Sequence, residues 1–455
     1  MTVIAAPSAT PSNVAIFRMA WPLGLKAMML HGIVVIDAWL VSALGEPALA
    51  AMGLAASIAG LILGTLMAFS NAAQVRIAQA YGSGDPVSLK TGLYVGILIN
   101  VASAALGIGL VALFGDDIIR AFAHTPWIAD QAISYLQVFL LVVVFEAFGQ
   151  VLGSHFNGCG KTLMPAKSYL LAIPINVVTS YVLIHGHWGL PELGVSGAAV
   201  GSAIAAMTRM LFLGAGLWRM NRAYLGVEGW RNGTLRASIH RHLVFALPIA
   251  GTFISMTIVN NICMLIYAKM SVNDFAAMTL IQPWVLVAGN FSTAWGMATG
   301  IAVAQLLGSN VPGDDLVVFL KRAWRGAFVA AIVVSLCFLG LSLSVQGIYG
   351  QLEAQTRAAL WSFLPFLLVL PFPRGSNLMC GHTLRASGDT VYPMKVHVCS
   401  QWLVRLPLTA AFILWLDLSV TWVFALVLFE EFVKLPFFHS RILKGEWKKG
   451  LKEDD

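Results

Sequence analysis

A chain of 455 residues that is 58% hydrophobic and only 11% charged, with a mean hydropathy of +0.80, is too apolar for a soluble domain. Apolar runs of about 20 residues recur from end to end, each long enough for a helix to cross a hydrocarbon core of about 30 Å, and their continuity excludes the alternating pattern of a membrane barrel. The net charge of +7 would suggest nucleic acid in a soluble protein, but here Lys and Arg lie between the runs and at the C-terminus, so no nucleic-acid partner is expected.

In chain order, the opening MTVIAAPSATPS lacks the basic segment of a signal peptide and predicts a short tail over 1–16. Six spans follow near 17–43, 48–80, 91–115, 127–153, 163–185 and 194–218, forming an N-lobe over 17–218. The polar stretch 219–242 is a linker. Six more spans near 243–269, 274–306, 324–346, 357–384, 392–416 and 418–437 form a C-lobe over 243–437, and 438–455 is a tail ending in the solvated KEDD. With the N-terminus inside, Lys90, Lys161, Arg236, Lys321, Arg385 and Lys395 fall on the same side as the linker and the basic tail. The other side receives only Arg120, Lys269 and Arg357, so both ends are expected in the cytoplasm. The five cysteines have neither CxxC nor metal spacing and read as small apolar core residues.

The chain states one stretch twice. Ala20, Pro22, Ala50-Ala51-Met52, Ala78-Gln79 and Gly82-Ser83 reappear as Ala246, Pro248, Ala276-Ala277-Met278, Ala304-Gln305 and Gly308-Ser309, at a constant offset of 226 residues. Later, Gly160, Thr162, Pro165 and Lys167 answer to Gly388, Thr390, Pro393 and Lys395 at an offset of 228. Both are helix–turn–helix joints with glycine in the turn and proline just inside the next helix. Six spans separate the copies, an even number, so the repeat is parallel with its axis along the membrane normal. Asp37 lies in the otherwise nearly uncharged run HGIVVIDAWLVSAL, and its counterpart is Cys263. The architecture is doubled, yet the halves carry different groups.

These residues resemble the multidrug and toxic compound extrusion family, abbreviated MATE, in its NorM-like branch of the MOP flippase superfamily. The resemblance rests on Asp37 followed by Leu44-Gly45 and Ala48-Leu49-Ala50-Ala51, on Gln79 before Gly82 and Asp85, and on Asn176 followed by Gly186, Gly189, Pro191, Leu193-Gly194-Val195 and Gly197-Ala198-Ala199. It implies an all-α membrane protein, twelve transmembrane helices in two pseudo-twofold-related six-helix bundles around a V-shaped cleft. It also implies exchange of inward protons or sodium ions for outgoing organic compounds, often cationic or amphipathic. By the same resemblance Asp37 is the cation-coupling residue, and no cofactor beyond H+ or Na+ is needed.

Physical reasoning supports that choice. Asp37 stands 15 residues beyond Pro22, about 22 Å along the first helix at 1.5 Å per residue. A carboxylate at membrane depth costs several kcal/mol unless it faces water or a partner, and a low dielectric favours the neutral acid. Tyr135, Asn176 and Ser202 are expected to line the same N-lobe cavity, with Ser180 where archaeal relatives carry a second aspartate. A structural hydrogen bond between helices is the plain alternative for each. In the C-lobe, Met256 and Arg374 stand where sodium-coupled relatives carry acids, so that lobe is expected not to bind sodium. Asn260 and Asn261 are candidate lining residues there. Arg374 answers to Glu146 by the 228 offset, a candidate gate across the cleft, against pairing of each within its own lobe. Glu430 and Glu431 with Lys434 read as an ion pair within one helix, and His31 points away from Asp37. Pro22, Pro174 and Pro248 lie inside spans and are expected kink sites.

The expected partners are a small organic substrate and the lipid bilayer of the inner membrane, with the protein a monomer. A lipid-intermediate flippase of the same superfold would need a more cationic cleft than Arg374 and Arg405 provide. An intramembrane enzyme would need a motif such as HExxH or GxSxG, and neither occurs.

Overall fold

The computed structural model describes residues 10–220, 234–348 and 352–449. Residues 450–455 at the end of the predicted tail, the segment 1–9 and most of the predicted linker lie outside the described residues. Among the described residues every regular element is a helix. The first six are α1 Asn13–Ser42, α2 Glu46–Ser83, α3 Pro86–Phe122, α4 Pro126–Gly158, α5 Leu163–His185 and α6 Val195–Met220. They are followed by α7 Thr234–Tyr267, α8 Val272–Gly308, α9 Gly313–Ile348, α10 Ala354–Ser362, α11 Leu364–Val369 and α12 Pro371–Ala386. The last are α13 Val391–Cys399, α14 Leu406–Ala410 and α15 Val420–Leu443, with π-helical turns at Ser400–Arg405 and Ala411–Trp415 that join α13 and α14 into one span, Val391–Trp415.

Among the described residues, ten helices are long and apolar enough to cross a membrane. The predicted continuous span over 357–384 is instead broken: Ala354–Val369 and Pro371–Ala386 meet at a bend of 47°, where Pro371 and Pro373 withhold two main-chain donors. Counted as one, this pair gives eleven spans. The twelfth is α15, whose apolar length is interrupted by Glu430, Glu431 and Lys434. Helix α7 begins at Thr234, inside the predicted linker, and α15 runs to Leu443, inside the predicted tail. Cys159, Cys263 and Cys380 are buried as expected, whereas Cys337 and Cys399 are exposed on the outer faces of their helices.

Local chemistry sets the helix ends. Asp85 accepts hydrogen bonds from the amides of Val87 and Ser88 ahead of Pro86, and Thr125 accepts from the Ile128 amide ahead of Pro126. The repeat is visible in the main chain itself. The Gly84 amide donates to Tyr81 with φ +70°, and at the 226 offset the Asn310 amide donates to Leu307 with φ +54°. In the other joint, Gly160 donates to Asn157 and Lys161 to Phe156, and at the 228 offset Gly388 donates to Arg385 and Asp389 to Leu384. Gly160 and Gly388 take φ of +74° and +99°, the left-handed region that favours glycine.

The chain divides into two compact units. Unit one is Leu25–Ala250, and unit two is Gly251–Asp455 together with the described residues up to Gly24. Both boundaries fall inside a helix, two residues after the repeat-related prolines Pro22 and Pro248. The core of unit one is built on small residues: Ala48, Ala51, Ala55 and Ala59 of α2 pack with Ala129 and Ala132 of α4 and Ala198 and Ala199 of α6. Small side chains let helix backbones approach closely where lipid supplies no hydrophobic drive. Unit two uses larger ones, with Phe363 stacked on Phe424 at 4.3 Å between ring centroids.

Candidate functional site

In unit one, four helices contribute side chains to one buried polar layer. Ser202 on α6 donates to Asp37 Oδ2 on α1 at 2.7 Å, and Asn176 on α5 donates to Ser202 Oγ at 3.1 Å. Tyr135 on α4 is buried, stacks on Phe139 and lies close enough to feel the Asp37 charge. Asp37 is only 6% exposed. Its second oxygen, Oδ1, is buried without a hydrogen-bond partner among the described residues, as are Asn176 Oδ1 and Ser180 Oγ. The structure therefore brings Asp37, Asn176 and Ser202 together and places Ser180 beside the same helix contact, against Gly201. A carboxylate with one oxygen anchored and one uncommitted can take up a proton without losing its position.

A second layer on the same four helices was read from the sequence only through Glu146, while Arg209, Tyr169 and Lys26 were missed. It lies two to three turns, about 10 to 16 Å, from the first, on the side of α1 nearer its N-terminus. Here Arg209 of α6 pairs with Glu146 of α4, and Gln150 donates to the same carboxylate at 2.8 Å. The Arg209 guanidinium lies 3.6 Å from the ring centroid of Tyr169 on α5, and Lys26 of α1 approaches the same ring at 6.0 Å. Glu146 thus has a partner in its own unit.

In unit two, the counterpart of Asp37, Cys263, is fully buried among Val259 and Tyr267. Met256 and Asn261 of α7 are exposed. Asn260 accepts from Arg405 at 2.9 Å. The Arg374 guanidinium packs over Gly289, 3.4 Å from where a Cβ would stand, and is within electrostatic reach of Glu431. Lys434 bridges Glu430 at 2.9 Å and Glu431 at 3.2 Å, so the ion pair read from the sequence is present and includes both acids. Pro22, Pro174 and Pro248 all lie inside helices, α1, α5 and α7.

The family model described as MatE matches residues 22–182 and 248–411, two segments that open on the repeat-related prolines. The chain is 26% identical over 405 residues to a probable multidrug resistance protein NorM of Bradyrhizobium diazoefficiens, across 86% of this chain and 84% of that one. To the multidrug resistance protein NorM of Burkholderia vietnamiensis it is 25% identical over 428 residues, across 89% and 88%. Among solved structures, a MATE protein in the bent conformation matches with a TM-score of 0.85 at 17% identity, over 99% of this chain and 98% of that one. An outward-facing MATE transporter of the MOP superfamily matches with the same TM-score and identity, over 98% and 99%. At that identity the likeness speaks for the fold.

Proposed function

The chain belongs to the MatE family, and on that premise we propose that it is a proton-coupled antiporter that exports organic, amphipathic compounds across the cytoplasmic membrane by alternating access. The observation that carries the reading is the buried Asp37 carboxylate, anchored by Ser202 through one oxygen and uncommitted at the other. Protonation removes a charge from a low-dielectric site shared by α1, α5 and α6, and that change is felt by the helices that hold it. Helix α1 bends at Pro22, where a main-chain hydrogen bond is missing, and the substrate leaves to the outside as the units rock. The multidrug names of the NorM relatives support a substrate that is small and organic. The excess of Lys and Arg on one side supports cytoplasmic termini. Protons are favoured over sodium because Met256 and Arg374 hold the second-unit positions where sodium-coupled relatives carry acids.

Inverted vesicles test this directly. An imposed pH gradient is expected to drive transport of a fluorescent amphipathic cation, an imposed sodium gradient is not, and Asp37→Asn is expected to abolish the proton-driven component. Transport by Asp37→Asn at the original rate would remove Asp37 from coupling, and sodium-driven transport would replace the proton in this scheme.

A further inference from the structure

On α15 of unit two, Glu430 and Glu431 both pair with Lys434, and Arg405 lies 3.8 Å from the far oxygen of Glu430. Those two cations already neutralise the two acids. Arg374 of α12, within electrostatic reach of Glu431, is a third cation, so the group carries one positive charge in excess. A guanidinium presents five N–H donors in a fixed fork. Among the described residues the Arg374 side chain forms neither a hydrogen bond nor an ion pair. A cation left in this way at membrane depth is costly, and its donors call for an anion.

The space beside Arg374 has the size and chemistry to hold a small one. Its guanidinium packs over Gly289 of α8, 3.4 Å from where a Cβ would stand. Ser292 lies one turn further along the same side of α8, is 6% exposed, and its hydroxyl makes no hydrogen bond among the described residues. The neighbouring Thr293, by contrast, turns its hydroxyl back onto the Gly289 carbonyl at 3.0 Å. Ser292 Oγ stands 4.0 Å from where a Cβ on Gly375, the residue after Arg374, would be, so hydroxyl and guanidinium share the contact between α8 and α12. Both line one cavity of about 10 Å³, whose other walls are glycine and apolar side chains such as Val285, Val334 and Phe338. That volume is room for a single water-sized species. A carboxylate or phosphate group is too large for it, whereas a monatomic anion is not. We infer that this cavity binds one halide ion, chloride under ordinary conditions, held by the Arg374 guanidinium and the Ser292 hydroxyl. The bound ion neutralises the cation in excess and leaves Glu430 and Glu431 to Lys434 and Arg405.

The test uses the full-length protein purified in detergent, with sodium chloride or sodium bromide exchanged for sodium gluconate at constant ionic strength. Gluconate is too bulky for the cavity. The unsubstituted protein is expected to unfold a few degrees higher in either halide than in gluconate, because a ligand that binds the native state raises its stability. Equilibrium binding of radioactive chloride is expected to saturate at one ion per chain. Arg374→Gln is expected to unfold at the same temperature in all three salts and to bind no chloride. Should Arg374→Gln fail to fold, Ser292→Ala decides: losing one hydrogen bond is expected to raise the chloride concentration at half-saturation about fivefold. An unsubstituted protein indifferent to halide would overturn the inference. So would a halide response of equal size in Arg374→Gln, which is a general salt effect, or an unchanged chloride affinity in Ser292→Ala. The assay imposes no gradient and does not involve Asp37, so its outcome stands apart from the vesicle experiment on proton coupling.

Discussion

At the scale of single residues, the Arg209–Glu146 pair is the sharper stability determinant of unit one. Both side chains are less than 10% exposed. Removing one member strands the other charge in a low dielectric, at a cost of about 3–5 kcal/mol, whereas replacing both with apolar side chains of similar volume is often close to neutral. Arg209→Met is therefore expected to lower the thermal unfolding midpoint markedly, and Arg209→Met with Glu146→Met to recover most of the loss. Equal damage in the single and double variants would show that the pair is not what holds α4 to α6. The sequence signal for Arg209 was the one that exposed Asp37, a lone charge in an apolar run, SAIAAMTRMLFLG. What sequence alone lacked was the azimuth of α4 against α6, which decides that Glu146 meets Arg209 in the same unit. Asn176 and Ser202 were legible as polar groups at similar depth on neighbouring spans, but the bond between them depends on how closely α5 and α6 approach.

At the scale of elements, that approach is set by glycine. A Cβ on Gly201 would stand 2.7 Å from the Ser180 amide nitrogen, and one on Gly197 would stand 2.7 Å from the Ile184 amide nitrogen. Both obstacles are backbone, so relief requires α5 and α6 to separate. Gly201→Ala is expected to cost about 1–3 kcal/mol and to pull Ser202 away from Asn176. Gly214→Ala, later in the same helix, meets nothing within 4 Å and is expected to be neutral or slightly stabilising by about 0.5–1 kcal/mol. Thermal unfolding of the two purified variants compares them, and similar midpoints would dismiss the close-approach argument. Helix lengths illustrate a different limit of legibility. The ninth span was expected from residue 324, but α9 starts at Gly313. Asp314, Asp315, Lys321 and Arg322 lower the hydropathy there while Leu316, Phe319, Leu320 and Ala323 keep an unbroken buried helical stripe. An average over a window loses that stripe; the 3.6-residue period keeps it. The broken tenth span was foreshadowed by the prolines in LPFPRG.

At the scale of the whole molecule, the duplication is legible in sequence because turns tolerate few residue types, and the same main-chain bonds recur at offsets of 226 and 228. Chemistry was free to diverge where no turn constrained it, so Asp37 answers to Cys263 at the 226 offset and Glu146 to Arg374 at the 228 offset. Pro22 and Pro248, by contrast, are identical at the 226 offset, and each unit boundary falls two residues beyond one of them. A proline inside a helix withholds the donor that the carbonyl four residues earlier, Arg18 or Val244, would accept, so the helix bends there at lower cost. If exchange between inward and outward states uses these two points, restoring the donor should stiffen both helices without harming the fold. Pro22→Ala and Pro248→Ala are expected to unfold at or above the original midpoint while transport under an imposed pH gradient slows, and to slow it further in combination. Transport at full rate by the double variant would place the motion elsewhere in the chain. A lowered midpoint would instead show that the prolines hold the packed structure and are not sites of bending.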